Sequence, residues 1–122
     1  MWNSKIDTFG NYAPAPGSNA DGIVSILTPA TGITVNRIQL QIAGGQKCST
    51  LPGIRVTDGA TSAFLAIPNT TAATAPGPAS NDSGVISLSF PAGDTIMVKA
   101  VAAPKGCNPY EINILVQYSV TP

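Results

Sequence analysis

Few side chains in this sequence can carry enzyme chemistry, and most of those lie in expected turns. The chain has no histidine among its 122 residues, which removes the commonest general base and the usual Ser-His and Cys-His nucleophiles. Because an Asp in a turn bonds its own backbone, we expect no enzyme, no catalytic residue and no cofactor. Four of the six acids fall in such turn sequences, namely Asp21-Gly22, Asp58-Gly59, Asn81-Asp82-Ser83-Gly84 and Gly93-Asp94.

Polar loop residues offer the next kind of chemistry, either calcium ligation or contact with a ligand. The segment 69–84 is long, polar and rich in small residues, and loops of that length are usually functional or mobile. Asn69, Asn81 and Asp82 are candidate loop contacts, with simple mobility of the segment as the alternative. The ligand spacing of an EF-hand is absent, so we expect no metal site.

The two cysteines, Cys48 and Cys107, have similar surroundings, because each follows Gly and Lys and precedes a Pro. Loops of a β-sandwich often meet at one end, so the two thiols could face each other and form a disulfide. In the chain-entropy model, a bridge closing a loop of about sixty residues stabilises the fold by roughly 4 kcal/mol. In the cytosol both cysteines would stay reduced, and the sequence leaves the two states open.

Charge is scarce along the chain, and this limits the kinds of partner. Six basic and six acidic residues cancel, and charged residues make up 10% of the chain, against about a quarter in ordinary soluble domains. Such a surface is suited to contact with other proteins, and the scattered cations argue against nucleic acid. Without a signal-peptide pattern or an apolar run of membrane-spanning length, we expect a soluble protein made in the cytosol. We expect no membrane partner and no small-molecule substrate.

The elements that position these residues read as β-strands throughout. Eleven prolines and twelve glycines leave no helical window, whereas apolar and polar residues alternate in short runs between turns. In residues 33–42 the alternation changes parity near Asn36-Arg37, which predicts a β-bulge. Asp58-Gly59 predicts a hairpin between residues 54–56 and 62–67. About seven or eight such strands predict an all-β fold, an antiparallel β-sandwich of jelly-roll type over residues 22–122.

The longest alternating run is YEINILVQYSV, residues 110–120. Burying its six apolar side chains is worth roughly 1.5–3 kcal/mol each, while ordering its backbone costs roughly 1–2 kcal/mol per residue. The two nearly cancel, so this strand needs neighbours on both edges and is predicted to be central. Its dry face is Tyr110, Ile112, Ile114, Val116, Tyr118 and Val120, and its mostly wet face is Glu111, Asn113, Leu115, Gln117 and Ser119.

Residues 1–21 show no strand alternation and are predicted to form an extended N-terminal arm outside the sandwich. The segment holds Trp2, Phe9 and Tyr12, three of the seven aromatic residues of the chain. Aromatic residues on an arm are good anchors on a partner, where Trp and Tyr dominate binding energy. An arm that folds back and caps its own sandwich is the equal alternative.

The order of strands and turns resembles small β-sandwich structural proteins of tailed bacteriophages and prophages. These include capsid decoration (cement) proteins and the end domains of tail fibres. The resemblance covers residues 22–120 and rests on loosely spaced turn motifs. The motifs are Cys48 with Pro52, Asp58-Gly59, Ser83-Gly84, Ala92-Gly93-Asp94-Thr95, Gly106-Cys107 and Val116-Gln117-Tyr118.

The resemblance implies a homo-oligomeric structural protein of the virion without enzymatic activity. We accordingly expect a decoration protein that is assembled in the host cytoplasm, binds the outside of a phage capsid and stabilises it. Its partners would be the major capsid protein and copies of itself, with a trimer as the first expectation and a dimer as the second. The alternative is a receptor-binding tip of a tail fibre or spike that recognises glycan on the host surface.

Overall fold

The computed structural model describes residues 1–8, 21–44, 53–67, 79–101 and 110–121. Within these ranges the chain forms β-strands joined by turns, and no helix there is long and apolar enough to cross a membrane. The strands are β1 (Trp2–Thr8), β2 (Asp21–Leu27), β3 (Ile33–Gly44), β4 (Gly53–Thr57), β5 (Ser62–Ala66), β6 (Ala79–Asp82), β7 (Leu88–Phe90), β8 (Ile96–Val101) and β9 (Tyr110–Val120).

The strands form two antiparallel sheets. One has the order β1-β9-β3-β6, with β7 also paired to β3, and the other has the order β2-β8-β4-β5. The first strand pairs with the last and the second with the last but one, which is the wrapping order of a jelly roll. The predicted all-β antiparallel sandwich is confirmed.

Strand β9 occupies the central position that its sequence predicted, because it pairs with β1 on one edge and with β3 on the other. Ile112, Ile114 and Val116 are buried against the second sheet, at 2% exposure or less. Tyr118 is half-buried, and Val120, at the sheet end opposite Ile33, is 59% exposed. The dry face is therefore confirmed in its middle and ends before the last residue of the strand.

A bulge in β3 keeps both halves of that long strand facing the core. The pairing with β9 shifts register between Val35 and Arg37, at the predicted place. Ile33 and Val35 before the shift, and Ile38, Leu40 and Ile42 after it, are all nearly fully buried. One extra residue thus corrects the change of parity in the sequence.

The core lies between the sheets and is built from the inward half of each alternating strand. Burial of apolar surface at about 25 cal/mol per Å² makes this the main stabilising term. The predicted hairpin of β4 and β5 is confirmed and contributes to this layer. The inward residues of the four-stranded sheet include Ile54, Val56, Leu65, Ile96, Val98 and Ala100.

The N-terminal residues differ from the predicted extended arm. Trp2–Thr8 form the edge strand β1, in which Trp2 is 8% exposed and Ile6 is fully buried. The boundary predicted between residues 21 and 22 therefore does not separate residues 2–8 from the sandwich. The strand lacks a clear sequence pattern because only two of its residues are apolar and its pairing depends on β9.

One side chain ties the two sheets together on each open side of the sandwich. At one side, the Trp2 Nε1 group donates to Ser25 Oγ at 2.9 Å, joining β1 to β2. At the other side, Asn81 Nδ2 donates to the Ala66 carbonyl at 2.9 Å, joining β6 to β5. The two sheets are thus joined by a hydrogen bond on each side of the sandwich.

Candidate functional site

The outer face of the five-stranded sheet carries a regular grid of mostly polar side chains. Strands β1, β9, β3 and β6 each contribute one residue to each of two rows that run across the sheet. Neighbouring positions in a row are about 4.8 Å apart because of strand spacing. The rows are Asn3, Leu115, Gln39 and Asp82, and then Lys5, Asn113, Gln41 and Ser80.

A hydrogen-bonded ladder fixes one end of this grid. Gln117 Nε2 donates to Gln39 Oε1 at 3.2 Å, and Gln39 Nε2 donates to Asp82 Oδ2 at 3.0 Å. Arg37 Nε lies 3.2 Å from Asp82 Oδ1 in an ion pair. The Gly84 backbone N–H, the Gln39 amide and the Arg37 charge lower the pKa of Asp82 below its usual value. Asp82 is therefore a fixed, ionised acceptor at neutral pH.

The grid is the floor of an open groove of about 890 Å³. A second hollow of about 490 Å³ continues it and shares Lys5, Gln41, Ser80 and Asn113. Glu111 lines this continuation and adopts φ of 50°, a left-handed backbone conformation that is unfavourable for a residue with a Cβ. The two hollows together therefore cover more than one row of side chains and span four strands.

The outer face of the four-stranded sheet has the opposite character. Ile23 and Ile26 of β2 and Phe64 of β5 point outward and are 52%, 55% and 48% exposed. Two residues with cationic side chains, Lys99 of β8 and Arg55 of β4, lie between Ile23 and Phe64 in one row across the sheet. This combination, hereafter the apolar face, is defined by Ile23, Ile26, Phe64, Arg55 and Lys99.

Phe64 is held in place on the apolar face by its neighbours. The Arg55 guanidinium carbon lies 5.9 Å from the centre of the Phe64 ring, at cation–π distance. The ring also covers Gly53, where a Cβ would come within 2.2 Å of the Phe64 Cζ atom. A glycine is needed at this position so that the ring can lie flat on the backbone.

A pair of carboxyl groups lies at the end of the sandwich where the tight turns are. Asp58 Oδ1 accepts hydrogen bonds from the Thr61 and Ala60 backbone N–H groups, and these lower the pKa of Asp58. The Asp58 carboxyl raises the pKa of Asp94 above its usual value. Within the described ranges no three His, Cys, Asp or Glu side chains are grouped to hold a metal ion.

The described candidates from the sequence lie in different parts of the sandwich. Trp2 lies in the core of its own sandwich, so its side chain is not available as an anchor on a partner. Asn81 joins two strands and Asp82 lines the groove, and both belong to β6 rather than to a loop. Five other candidates lie outside the described residues, namely Phe9, Tyr12, Cys48, Asn69 and Cys107.

Sequence reasoning did not single out the central residues of the groove. Gln39, Gln41 and Asn113 are the polar half of the same alternation that predicted the strands. Their only signal was that amides, rather than charged residues, alternate with the core positions. Their gathering into two rows follows from the register between β3 and β9.

Comparisons with known proteins give only distant likenesses. No protein-family model and no curated protein matches the sequence. A structure of the Eiger TNF protein from S. frugiperda aligns with 98% of this chain and 94% of its own, at 13% identity and a TM-score of 0.40. A pentameric capsid protein from metagenomic phage sequences aligns with 73% of this chain and 57% of its own, at 20% identity and a TM-score of 0.29. At these values the likeness assigns neither family nor function.

Proposed function

We propose that this protein is a structural component of a phage particle that binds the outside of the capsid and reinforces it. The expectation comes from the sequence resemblance and from the low charge of the chain. The observation that carries it is the apolar face, where three large apolar side chains are about half exposed on one side of the four-stranded sheet. Ile23 and Ile26 are neighbours on β2, and Phe64 lies at the opposite edge of the sheet beyond Lys99 and Arg55. Large apolar side chains exposed together on one sheet face mark a site of contact with another protein.

The apolar face has the composition of a binding surface. An aromatic residue packed beside an Arg is typical of the residues that dominate binding energy at protein interfaces. Each Å² of apolar area that a partner covers adds about 25 cal/mol before the cost of association. The cations Arg55 and Lys99 favour a partner that brings carboxylates opposite them.

The proposed attachment therefore uses a sheet face more than an N-terminal arm. Residues 2–8 form a strand of the sandwich, so only the part of the predicted arm beyond residue 8 remains a candidate contact, with Phe9 and Tyr12. Self-association into a trimer, or else a dimer, would multiply weak contacts through effective concentration. The proposal includes no enzymatic activity.

Co-sedimentation with capsids tests this function. Shells assembled from the major capsid protein encoded in the same genome are mixed with the purified protein and centrifuged through sucrose. We expect the protein to pellet with the shells, and the paired change Ile26→Ser and Phe64→Ser to weaken binding at least about tenfold, or 1.4 kcal/mol.

The matched control is Val85→Ser, because Val85 is also apolar and is 85% exposed but lies between β6 and β7, away from the apolar face. This variant should bind like the unchanged protein. Failure of the unchanged protein to bind any such shell would contradict the proposed function. Loss of binding in the control as well would show that the apolar face is not the contact.

A further inference from the structure

We infer that the groove on the five-stranded sheet is a binding site for a neutral glycan chain, held by side-chain amides. This inference goes beyond the proposed function, because it concerns the opposite outer face of the sandwich. The sequence singled out the segment 69–84 for contact with a ligand, and β6, which belongs to that segment, is one of the four strands that form the groove, with β1, β3 and β9.

The chemistry of the groove selects against other ligands. Asn3, Gln41 and Asn113 present amide donors and acceptors, and no hydrogen bond joins their side chains to another described residue. An apolar partner would leave these groups buried without partners, at a cost of roughly 1–3 kcal/mol each. The occupant must therefore bring many uncharged donors and acceptors, which the hydroxyl groups of a sugar provide.

The charges at the two ends of the rows balance. Lys5 of β1 stands at one edge of the grid and Asp82 of β6 at the other, each at the end of its row. An anionic chain would meet Asp82 and Glu111, and a cationic one would meet Lys5. Repulsion between like charges opposes both kinds of charged chain, whereas a neutral chain is not repelled.

The arrangement of the groove suits a linear chain of sugar rings. The row of Lys5, Asn113, Gln41 and Ser80 takes one polar side chain from each of four adjacent strands, about 4.8 Å apart. That spacing is comparable to the length of one sugar ring. Leu115 is the apolar position of the grid, and it can pack against the C–H face of a ring.

Part of the site is already oriented before any ligand binds. Asp82 can only accept, so the Gln39 amide must direct its Nε2 group to Asp82 and its Oε1 atom to Gln117. Fixing both ends of this side chain lowers the entropy cost of binding. The groove lining includes no aromatic ring among the described residues, so we expect weak affinity at each site and tighter binding from several copies together.

Chemical-shift mapping on the full protein tests the inference directly. The ¹⁵N-labelled protein is titrated with cellohexaose, maltohexaose, xylohexaose, mannohexaose and chitohexaose, and with hexasaccharides of heparin and hyaluronan as anionic comparators. We expect at least one neutral chain at millimolar concentration to shift the side-chain amide signals of Gln41 and Asn113.

Two sets of variants connect the shifts to the groove. Gln41→Ala combined with Asn113→Ala should weaken the binding of that sugar at least about tenfold, because it removes two central amides. Lys5→Ala tests whether the edge of the grid contributes to sugar binding. Lys99→Ala makes the same change on the apolar face and should leave sugar binding unchanged. Circular dichroism and melting temperature establish that each variant is folded.

The inference is overturned if no neutral chain shifts these signals, or if the anionic comparators bind more tightly than every neutral chain. It is also overturned if the shifts persist unchanged in the double variant. Should the double variant fail to fold, the map on the unchanged protein still decides where the sugar lies. Capsid binding is measured separately and through the other sheet, so either result can fail without the other.

Discussion

The carboxyl pair of Asp58 and Asp94 illustrates how single residues set the response of this protein to pH. Asp58 is stabilised as an anion by two backbone N–H groups. Asp94 Oδ2 is buried and receives no hydrogen bond from the described residues, and the neighbouring Asp58 raises the pKa of Asp94. A proton between the two carboxyl groups is thus favoured in the folded state.

Replacing Asp94 by Asn should raise the melting temperature at neutral pH. The stability that Asp94 contributes is present below its unfolded pKa and is lost as pH rises through its raised folded pKa. The Asn amide donates to the Asp58 carboxylate without needing a proton, so the gain should shrink as pH falls through the raised pKa of Asp94 and be small below about pH 4. Scanning calorimetry from pH 2 to 8 measures this.

Asp58→Asn is the control for that change. The pKa of Asp58 is lowered, so the stability it contributes is present above its unfolded pKa and is lost as pH falls. This variant should gain no comparable stability at neutral pH. An Asp94→Asn protein that melts at the same temperature as the unchanged one at every pH would refute the shared-proton interpretation.

At the scale of elements, the edge strand β1 is the clearest departure from expectation. Deleting residues 2–8 removes Trp2 and Ile6 from the core and uncovers one edge of β9. We expect the deletion to destabilise by several kcal/mol, because truncating one buried Ile or Trp already costs about 2–5 kcal/mol. Urea unfolding measures the loss in the free energy of unfolding. It is monitored by circular dichroism, which does not depend on the deleted tryptophan.

The milder change Trp2→Phe separates the contribution of packing from that of the hydrogen bond between the sheets. It keeps most of the buried ring but removes the hydrogen bond from Nε1 to Ser25, and should cost about 1–2 kcal/mol. A deletion protein as stable as the full chain would show that β1 contributes nothing to the fold, and that residues 1–8 serve another purpose.

The disulfide between Cys48 and Cys107 stays a prediction, and the strand register supports it. The two cysteines belong to the segments 45–52 and 102–109. The residues that flank one segment pair with the residues that flank the other. Gly44 pairs with Tyr110 in one sheet, and Gly53 pairs with Val101 in the other. Both segments therefore connect the same two pairs of neighbouring strands.

Non-reducing mass spectrometry of the oxidised protein should detect one peptide pair linked through Cys48 and Cys107. Reduction should lower the stability by roughly 4 kcal/mol, as the chain-entropy model gives for a loop of this length. Cys48→Ser should lower it by a similar amount under oxidising conditions and have little effect in dithiothreitol. Two free thiols in the oxidised sample would end the prediction.

The sequence could predict most strands because apolar residues alternate at their core positions. Ile96, Val98 and Ala100 of β8 alternate without interruption, and all three are buried. β6 could not be predicted, because its sequence, ASND, has no large apolar residue and its place depends on pairing with β3. Local pattern therefore predicts strands that carry core residues and misses edge strands that a neighbour recruits.

At the scale of the whole molecule, the two outer faces have different chemistry, and only the register between strands creates each of them. Phe64 and Ile23 are distant in sequence but fall in one row across the four-stranded sheet. Gln41 and Asn113 likewise meet on the other sheet. If the apolar face attaches to a shell, the amide-lined groove points outward from it.

The pairing of β1 with β9 also bears on how the chain folds as it leaves the ribosome. Trp2 pairs with Val116, so β1 cannot form its ladder hydrogen bonds until β9 has been synthesised. Closing contacts so far apart in sequence slows folding and leaves apolar strands open in the meantime. Strand β1 should therefore stay unpaired until β9 has been synthesised, which leaves Trp2 and Ile6 exposed to aggregation during that time.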